Sequence, residues 1–585
     1  MNAVSPVETL VTDHLDLWTT ALKRKSTAGR GSSSKVELYG IKKLRELILE
    51  LAVRGLLVPQ DPNDEPASEL LKRIAAERAK LLKEGRIKKG KPLPSIAGGS
   101  KQLPPGWSWT CMAALGEISP RNEAKDDVIA SFVPMPLIST RFDGRHDHES
   151  TTWAEIKKGY THFADGDVAI AKITPCFENS KAAIFSGLHN GIGAGTTELH
   201  VVRPIGEFVS RSYLLLYLKS PPFLRVGETK MTGSAGQKRV PTEFFSFNPL
   251  PLPPLAEQHR IVAKVDELMA LCDQLEQQTD ATLGAHQTLV ETLLSALTST
   301  ADHAQFASAW QRIAGHFDTL FTTEESIAQL KQTILQLAVM GKLVPQDPND
   351  EPVSELLKKI AAEKAKLVKE GKIKNTKQLL PIAEDEKPFK LPSGWAFCRL
   401  QELVSTLGDG LHGTPIYDNA GDYHFINGNN LSNGDILIKP DTRRVGQTEY
   451  EKHRKELNNS TVLVSINGTI GNVAFFKGEQ VILGKSACYF NVLPGIEKLF
   501  IKRLIESPLF FHYAASQATG STISNLGLKA MNAFPIPLPP TSEQVRIIAK
   551  LDELFALCDQ LNSRLNAAQT TQLHLADALV EQAIC

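Results

Sequence analysis

Apolar residues recur along the chain in three patterns, and each pattern predicts a different element. After Pro254 they fall at Ile261, Val265, Leu268, Cys272 and Leu275. After Pro540 they fall at Ile547, Leu551, Leu554, Cys558, Leu561 and Leu565, continuing to Leu575 and Leu579. Steps alternating between four and three residues are the seam of a coiled coil. Each such helix runs roughly 40 residues, about 60 Å at 1.5 Å per residue. The preceding proline, Ser542 as an N-cap, and Glu257 and Glu543 in the first turn all suit helix starts. Cys272 and Cys558 occupy seam positions, which predicts small buried hydrophobes rather than reactive thiols.

The second pattern is shorter. A helix is expected over 41–54 and another over 327–340, stopped by Gly55 and Gly341. The turn VPQDPNDEP follows each, rich in Pro, Asp and Asn. Ser68 and Ser354 then open basic helices that end at Gly85 and Gly371. Residues 72–91 carry nine basic and two acidic side chains, and residues 358–377 carry eight and two. A solvated face is the ordinary meaning of such a run; two at equivalent places also suit a phosphate- or partner-facing surface. In the third pattern, GDVAIAKITPCF and TVLVSINGTIGNVAFF cluster β-formers between Gly, Asn and Pro. LLLYLKSPPFLRVG and LFIKRLIESPLFFHYA read as short helices, so these regions are mixed α/β.

The patterns repeat because the sequence does. Residues 48–88 recur at 334–374 with 33 of 41 positions identical, and residues 251–275 recur at 537–561 with 19 of 25 identical. Both blocks share an offset of 286, so one half-length unit occurs twice. Between the blocks, 103–250 and 391–536 begin alike, LPPGW and LPSGW, and then diverge. They keep only fragments in common, such as the SPxF and TGS motifs. A constant frame around unlike inserts predicts one scaffold displaying two specificities. The expected organisation is a helical segment (1–102), a first insert domain (103–254) and a central helical frame (255–390). A second insert domain (391–540) and a C-terminal coiled-coil helix (541–585) complete it. Residues 23–35, 89–102 and 375–390 read as linkers.

Composition excludes several classes. Lys plus Arg and Asp plus Glu number 65 each, which rules out a polycation but not a local basic patch. Seven scattered Cys with no CxxC pair argue against a disulfide scaffold or zinc ribbon. No apolar run reaches the roughly 18 residues of a membrane span, and the N-terminus lacks a signal-peptide pattern. A soluble, cytoplasmic protein is expected. His146 and His148 read as an exposed polar loop rather than metal ligands. GEQVILGKS, residues 478–486, has five residues between its glycines where a phosphate loop needs four. No GxSxG, HExxH, FxGxG or NPPF/NPPY motif is present, so no catalytic, metal or cofactor site is expected in this chain.

The two PLPPxxEQxRIxAKxDELxALCDQL blocks and the two VPQDPNDEP blocks strongly resemble the frame of the specificity subunit of type I restriction-modification systems, most similar to the type IB branch. Residues 166–184 and 191–204 resemble a target recognition domain of that family. The resemblance implies an α+β fold. Two globular α/β target recognition domains are joined and spaced by two long antiparallel coiled-coil helices, with pseudo-two-fold symmetry from the duplication. It implies double-stranded DNA, two modification subunits and restriction subunits as partners. S-adenosylmethionine, ATP and Mg would be held by those partners rather than by this chain. Two equivalent readers suit half-sites about one helical turn apart, roughly 34–36 Å, and unlike readers suit an asymmetric bipartite target. Base edges are read by Arg, Lys, Asn, Gln, Ser and Thr. In the first insert the candidates are Lys172, Thr174, Asn179 and Lys181, with Thr232, Ser234, Gln237, Lys238 and Arg239 of the TGSAGQKR loop. In the second they are Asn427, Asn429, Asn430, Asn467 and Thr469, with Thr519, Ser521 and Asn525 of the TGSTISN loop. Two other readings remain open from sequence: a stand-alone DNA-binding or architectural protein, and a coiled-coil scaffold that does not touch DNA.

Overall fold

The computed structural model describes residues 10–24, 36–88, 91–94, 102–234, 236–300, 303–519 and 525–584. It divides into two compact units, Met1–Leu283 with Ala567–Cys585, and Gly284–Asn566. The frame helices recur at the offset of the sequence repeat. Ala67–Lys83 matches Val353–Lys369, and Leu255–Thr298 matches Thr541–Ile584, each long helix having 44 residues. The helices expected over 41–54 and 327–340 are Tyr39–Arg54 and Glu324–Val339.

Why these helices stop is visible at Gly55 and Gly341. Both take φ of 70°, and the following N–H groups reach back to Leu51 and Leu337 at 3.0 and 2.9 Å. A Cβ on Gly55 would sit 2.6 Å from Pro104 Cγ, and one on Gly341 would sit 2.4 Å from Pro392 Cγ. Only glycine meets both the left-handed backbone and the close approach of the insert's first residues. The VPQDPNDEP turn closes when Asn63 N–H donates to Asp61 Oδ1, and Asn349 N–H to Asp347 Oδ1, both at 2.9 Å.

The turn, the insert and the long helix meet at one buried carboxylate in each unit. Glu257 accepts from Trp107 Nε1 at 3.0 Å and Gln60 Nε2 at 3.2 Å. Glu543 accepts from Trp395 Nε1 at 2.9 Å and Gln346 Nε2 at 3.2 Å. Each glutamate is 1% exposed, and burial raises its carboxyl above the ordinary range. The next residue, Gln258 or Gln544, is fully buried. Its Oε1 accepts the N–H of Ser210 or Glu497 at 2.9 and 2.8 Å. Arg260 and Arg546 pair with Asp64 and Asp350 of the turn.

Contacts inside each unit fix the sense of the long helices. In the first, Tyr39 bonds Asp577 and Arg54 bonds the Ile584 carbonyl, a rising order on the C-terminal helix. Arg45 pairs with Glu276 and Asp273, whereas Gln60 reaches Glu257, a falling order on the central one. The two therefore run antiparallel through this core. In the second unit the roles exchange: Gln329 and Lys342 meet Glu291 and Thr298, while Lys331 and Gln346 meet Asp559 and Glu543. Ile261, Val265, Leu268, Cys272, Ile547, Leu551 and Cys558 are buried, as the seam requires. Leu575 is not; it is 51% exposed, and Ala576 is buried in its place. An undistorted helix drifts about 20° per heptad from a strict 3.5-residue repeat, enough to turn the seam onto the next residue.

Both inserts are mixed α/β and share the strand order of one four-stranded sheet. The first holds a four-stranded sheet in the order Gly116–Ile118, Leu199–Pro204, Val168–Ala171, Ala182–Ile184. The second repeats it as Val404–Asp409, Ala487–Val492, Thr461–Ser465, Val473–Phe475. A second sheet in each contains a parallel pair, Ile129–Val133 with Ile192–Gly195, and Tyr423–Ile426 with Val481–Leu483. The first and last strands of each insert, Ser108–Thr110 with Leu250–Leu252 and Ala396–Arg399 with Pro535–Leu538, pair and tie its two ends together. Two linker expectations change. Lys23–Arg24 pairs with Val36–Glu37, while 25–35 lies outside the described residues. Residues 375–390 are mostly exposed but tethered, since Glu386 takes both terminal nitrogens of Arg399 at 2.9 Å. Of 89–102, only residues 91–94 and 102 are described.

Replacing Glu257 with Ala strands the buried Trp107 indole N–H, while Gln60 Nε2 keeps its bond to the Gly55 carbonyl at 2.7 Å. We expect a loss of about 1–3 kcal/mol in the first unit, the cost of one unsatisfied buried group. Urea unfolding followed by tryptophan fluorescence measures it, and Glu543→Ala should act equally on the second unit.

Candidate nucleic-acid interface

In each insert the structure brings two sequence-distant loops together by the same hydrogen bonds. In the first, Thr232 and Arg239 exchange backbone bonds at 3.0 and 2.8 Å, closing the TGSAGQKR loop. Val240 N–H donates to Lys172 O at 2.8 Å, and Thr174 N–H donates to Lys238 O at 3.0 Å. In the second, Thr519 and Asn525 exchange bonds at 3.0 Å, and Leu526 N–H donates to Ile466 O at 2.8 Å. Asn467 bridges Asn525 as Ile173 bridges Arg239. Lys172 and Thr174 therefore stand beside Thr232–Arg239, and Asn467 and Thr469 stand beside Thr519 and Asn525. The inserts share this arrangement although their loop sequences differ.

Exposure sorts the candidates. Thr232, Ser234, Gln237, Lys238 and Asn179 are exposed in the first insert, as are Asn429, Thr469, Thr519 and Asn525 in the second. Lys172, Thr174 and Asn467 are half-buried. Ser521 lies outside the described residues. Three candidates make side-chain bonds within the protein. Arg239 is a clamp, because its guanidinium holds Glu198 bidentately at 2.9–3.1 Å, and Arg239 in turn keeps that carboxyl below its ordinary range. Lys181 donates to the Met135 carbonyl at 2.9 Å. Asn430 is 5% exposed, with its Nδ2 bonded to Leu437 O and Thr442 Oγ1 and its Oδ1 to Asn427 N–H. It holds the 427–430 turn and does not face outward.

A surface the sequence did not single out adjoins that turn. Leu411, His412, Gly413, Thr414, Tyr417, Phe425, Asn427 and Lys485 line a cleft of about 450 Å³. Lys485 is exposed, Arg443 lies over the Tyr417 ring at 5.5 Å, and Lys439 donates to Asn429 O at 3.0 Å. Aromatic faces among cations are a nucleic-acid signal that the RR pair at 443–444 could have raised.

Buried groups beneath the first site hold its shape. His200 is stacked on Phe245, with ring centroids 5.0 Å apart, and its Nε2 lies 2.9 Å from Val240 O. Burial lowers its pKa to about 4, so the ring is neutral and donates to that carbonyl. Lys219 is 3% exposed and donates to Arg141 O and Ser180 O at 2.8 Å; burial pulls its pKa down to about 8. His146 and His148 are half-buried rather than exposed, with His146 edge-on to Phe185 at 5.1 Å. Among the described residues no group of three or more His, Cys, Asp or Glu is placed to hold a metal.

Two unlike α/β readers hung from one duplicated helical frame define a DNA-specificity protein. The family model "Type I restriction modification DNA specificity domain" matches residues 147–285 and 392–568, and the chain belongs to that family. It is 53% identical to the type I restriction enzyme EcoAI specificity subunit of Escherichia coli, over 99% of this chain and 100% of the relative. It is 51% identical to the EcoEI specificity subunit of the same organism, with the same coverage. Both relatives are of the type IB branch. The HsdS subunit from Thermoanaerobacter tengcongensis matches at 17% identity and a TM-score of 0.41, over 84% of this chain and 99% of that one.

The pH dependence of His200 follows from its sign. Its folded pKa is depressed, so its stability contribution is full above about 6.5 and lost as pH falls toward about 4. The loss approaches about 3 kcal/mol at 1.36 kcal/mol per unit. His200→Gln keeps a donor for Val240 O and removes the titration. Acid unfolding of the first insert should therefore flatten between pH 6.5 and 4 in that variant.

Proposed function

We propose that each insert reads one half of an asymmetric, bipartite DNA target, and that the long helices set the spacing between the halves. The carrying observation is the pair of converged loops tied by equivalent backbone bonds in two inserts of different sequence. Their exposed hydroxyls, amides and ammonium groups are base-edge donors and acceptors, not catalytic groups. As a type I specificity subunit this chain is non-catalytic. Two modification subunits would supply adenine-N6 methyl transfer from S-adenosylmethionine. Restriction subunits would supply ATP- and Mg-dependent translocation and cleavage. The chain's own residues orient DNA for both.

The direct base readers in this account are Thr232, Ser234, Gln237 and Lys238, with Lys172, Thr174 and Asn179 beside them. In the second insert they are Asn467, Thr469, Thr519, Ser521 and Asn525, with Asn427 and Asn429 at the neighbouring cleft. Arg239, Lys181 and Asn430 shape these loops. Among the described residues no helix is long and apolar enough to cross a membrane.

Methylome sequencing of host DNA tests the reading: the modified motif should be bipartite with unlike halves, and a single short motif would contradict it. The spacing claim has its own variant. Four residues lengthen a helix by about 6 Å and add about one turn, so the seam nearly keeps its facing. One extra base pair adds about 3.4 Å of duplex and rotates one half by roughly 34–36°. The insertion belongs after Leu283 in one helix and after Gln569 in the other, because Leu297 further along is buried at 1% exposure. Both half-site sequences should persist, with a spacer longer by one or two base pairs. An unchanged spacer at full activity contradicts the ruler.

A further inference from the structure

The repeat helices Ala67–Lys83 and Val353–Lys369 carry a charge pattern that the fold does not require. Residues 67–88 hold seven Lys and Arg against three Glu, and residues 353–374 hold the same seven against three. Five of these 22 positions differ between the copies. Two are apolar exchanges, and the other three are Arg73 to Lys359, Arg78 to Lys364 and Arg86 to Lys372. Such exchange keeps the charge and discards the bidentate fork of arginine. What both copies retain is positive charge at each place.

One of the exchanged pairs has a structural task. Arg78 donates to Gly116 O and Lys364 to Gln401 O, clasping each helix to its insert. Arg73 with Glu65 and Arg86 with Glu84 are locally paired, as are Lys359 with Glu351 and Lys372 with Glu370. Lys83, Lys88, Lys369 and Lys374 are exposed and, among the described residues, form no salt bridge. They sit at the C-terminal end of each helix and in the turn beyond it.

That end adjoins the reading loops. Lys91 pairs with Glu243 at 2.8 Å, on the helix Thr242–Phe247 that begins three residues after Arg239. In the second unit, Gln401 Nε2 donates to Lys377 O at 3.3 Å. The turn Leu400–Leu403 packs on the helix Leu528–Ala533, which begins three residues after Asn525. An invariant cationic surface thus lies beside each of two readers that differ.

We propose that these two surfaces contact the DNA phosphate backbone flanking each half-site. The inference rests on the DNA-recognition reading above and adds a sequence-independent contact to it. A ligand that is the same for both readers, whatever bases they read, is the phosphate chain. Phosphate oxygens accept from both residue types, from Lys as a point charge and from Arg often through two parallel N–H groups. The surfaces set affinity and its salt dependence, and the loops set sequence.

The test uses the assembled complex with its modification subunits, and two duplexes, one carrying the methylome-derived target and one scrambled. The variant is Lys83→Gln, Lys88→Gln, Lys369→Gln and Lys374→Gln together; its counterpart carries Arg at the same four positions. Each phosphate contact contributes about 0.9 to the slope of log K against log salt. The Gln variant should flatten that slope by about 2–4, and both duplexes should lose the same factor in affinity. The target-to-scrambled ratio and the methylated motif should not change. The Arg variant should keep the wild-type slope. An unchanged slope overturns the proposal, as does a fall in the ratio. Failure of the Gln variant to assemble with the modification subunits also overturns it, making this face a protein-docking surface. If the wild-type complex shows no preference for its target, the DNA-recognition reading itself fails. If that preference stands and the slope does not move, only the phosphate contact fails.

Discussion

Each half of the molecule depends on a carboxylate buried in the first turn of a long helix. Glu257 and Glu543 sit where three segments distant in sequence converge: the repeat turn through Gln60 or Gln346, the insert's entry through Trp107 or Trp395, and the helix itself. Burying an anion is costly unless donors surround it. Here an indole, an amide and the positive end of a helix surround it. The reward is positional. Moving the insert's entry would break the indole bond, and shifting the helix by one residue would leave the buried indole N–H unpaired, although Gln60 and Gln346 would keep their bonds to the Gly55 and Gly341 carbonyls. The neighbouring glutamine then holds the start of the insert's first SPxF-side helix, Ser210 in one copy and Glu497 in the other.

Such an attachment lets the reader vary while the frame stays constant. The insert's two ends form one antiparallel pair, so it is a closed module on a fixed stem. Inside it, the requirement is a sheet that carries the converging loops to the surface. Leu526 N–H to Ile466 O and Val240 N–H to Lys172 O are the same backbone bond made between different residues. Backbone bonds carry the geometry, which frees the side chains on the exposed loops to specify bases.

The frame was legible because its signals are periodic and duplicated. A seam of alternating steps, a glycine stop and a proline-rich turn each have one local meaning, and the second copy repeats them. The seam failed only at Leu575, where helical drift hands the buried position to Ala576. The TGS loops were legible because the inserts share that fragment amid divergence. Individual roles were not. Arg239 looked free because its partner Glu198 lies 41 residues away in sequence. Asn430 looked like a reader because an asparagine that caps a turn and one that faces DNA have the same composition. The cleft at Leu411–Tyr417 and Lys485 has no counterpart in the first insert's sequence to mark it.

The central claim is that frame and readers are separable, each reader answering for one half of the target. Exchange of residues 103–250 for the first insert of another family member, with the Glu257 junction left intact, tests it most directly. The assembled enzyme's methylated motif is then mapped across host DNA. The account predicts a new first half, an unchanged second half and an unchanged spacer. A motif altered in both halves would contradict it.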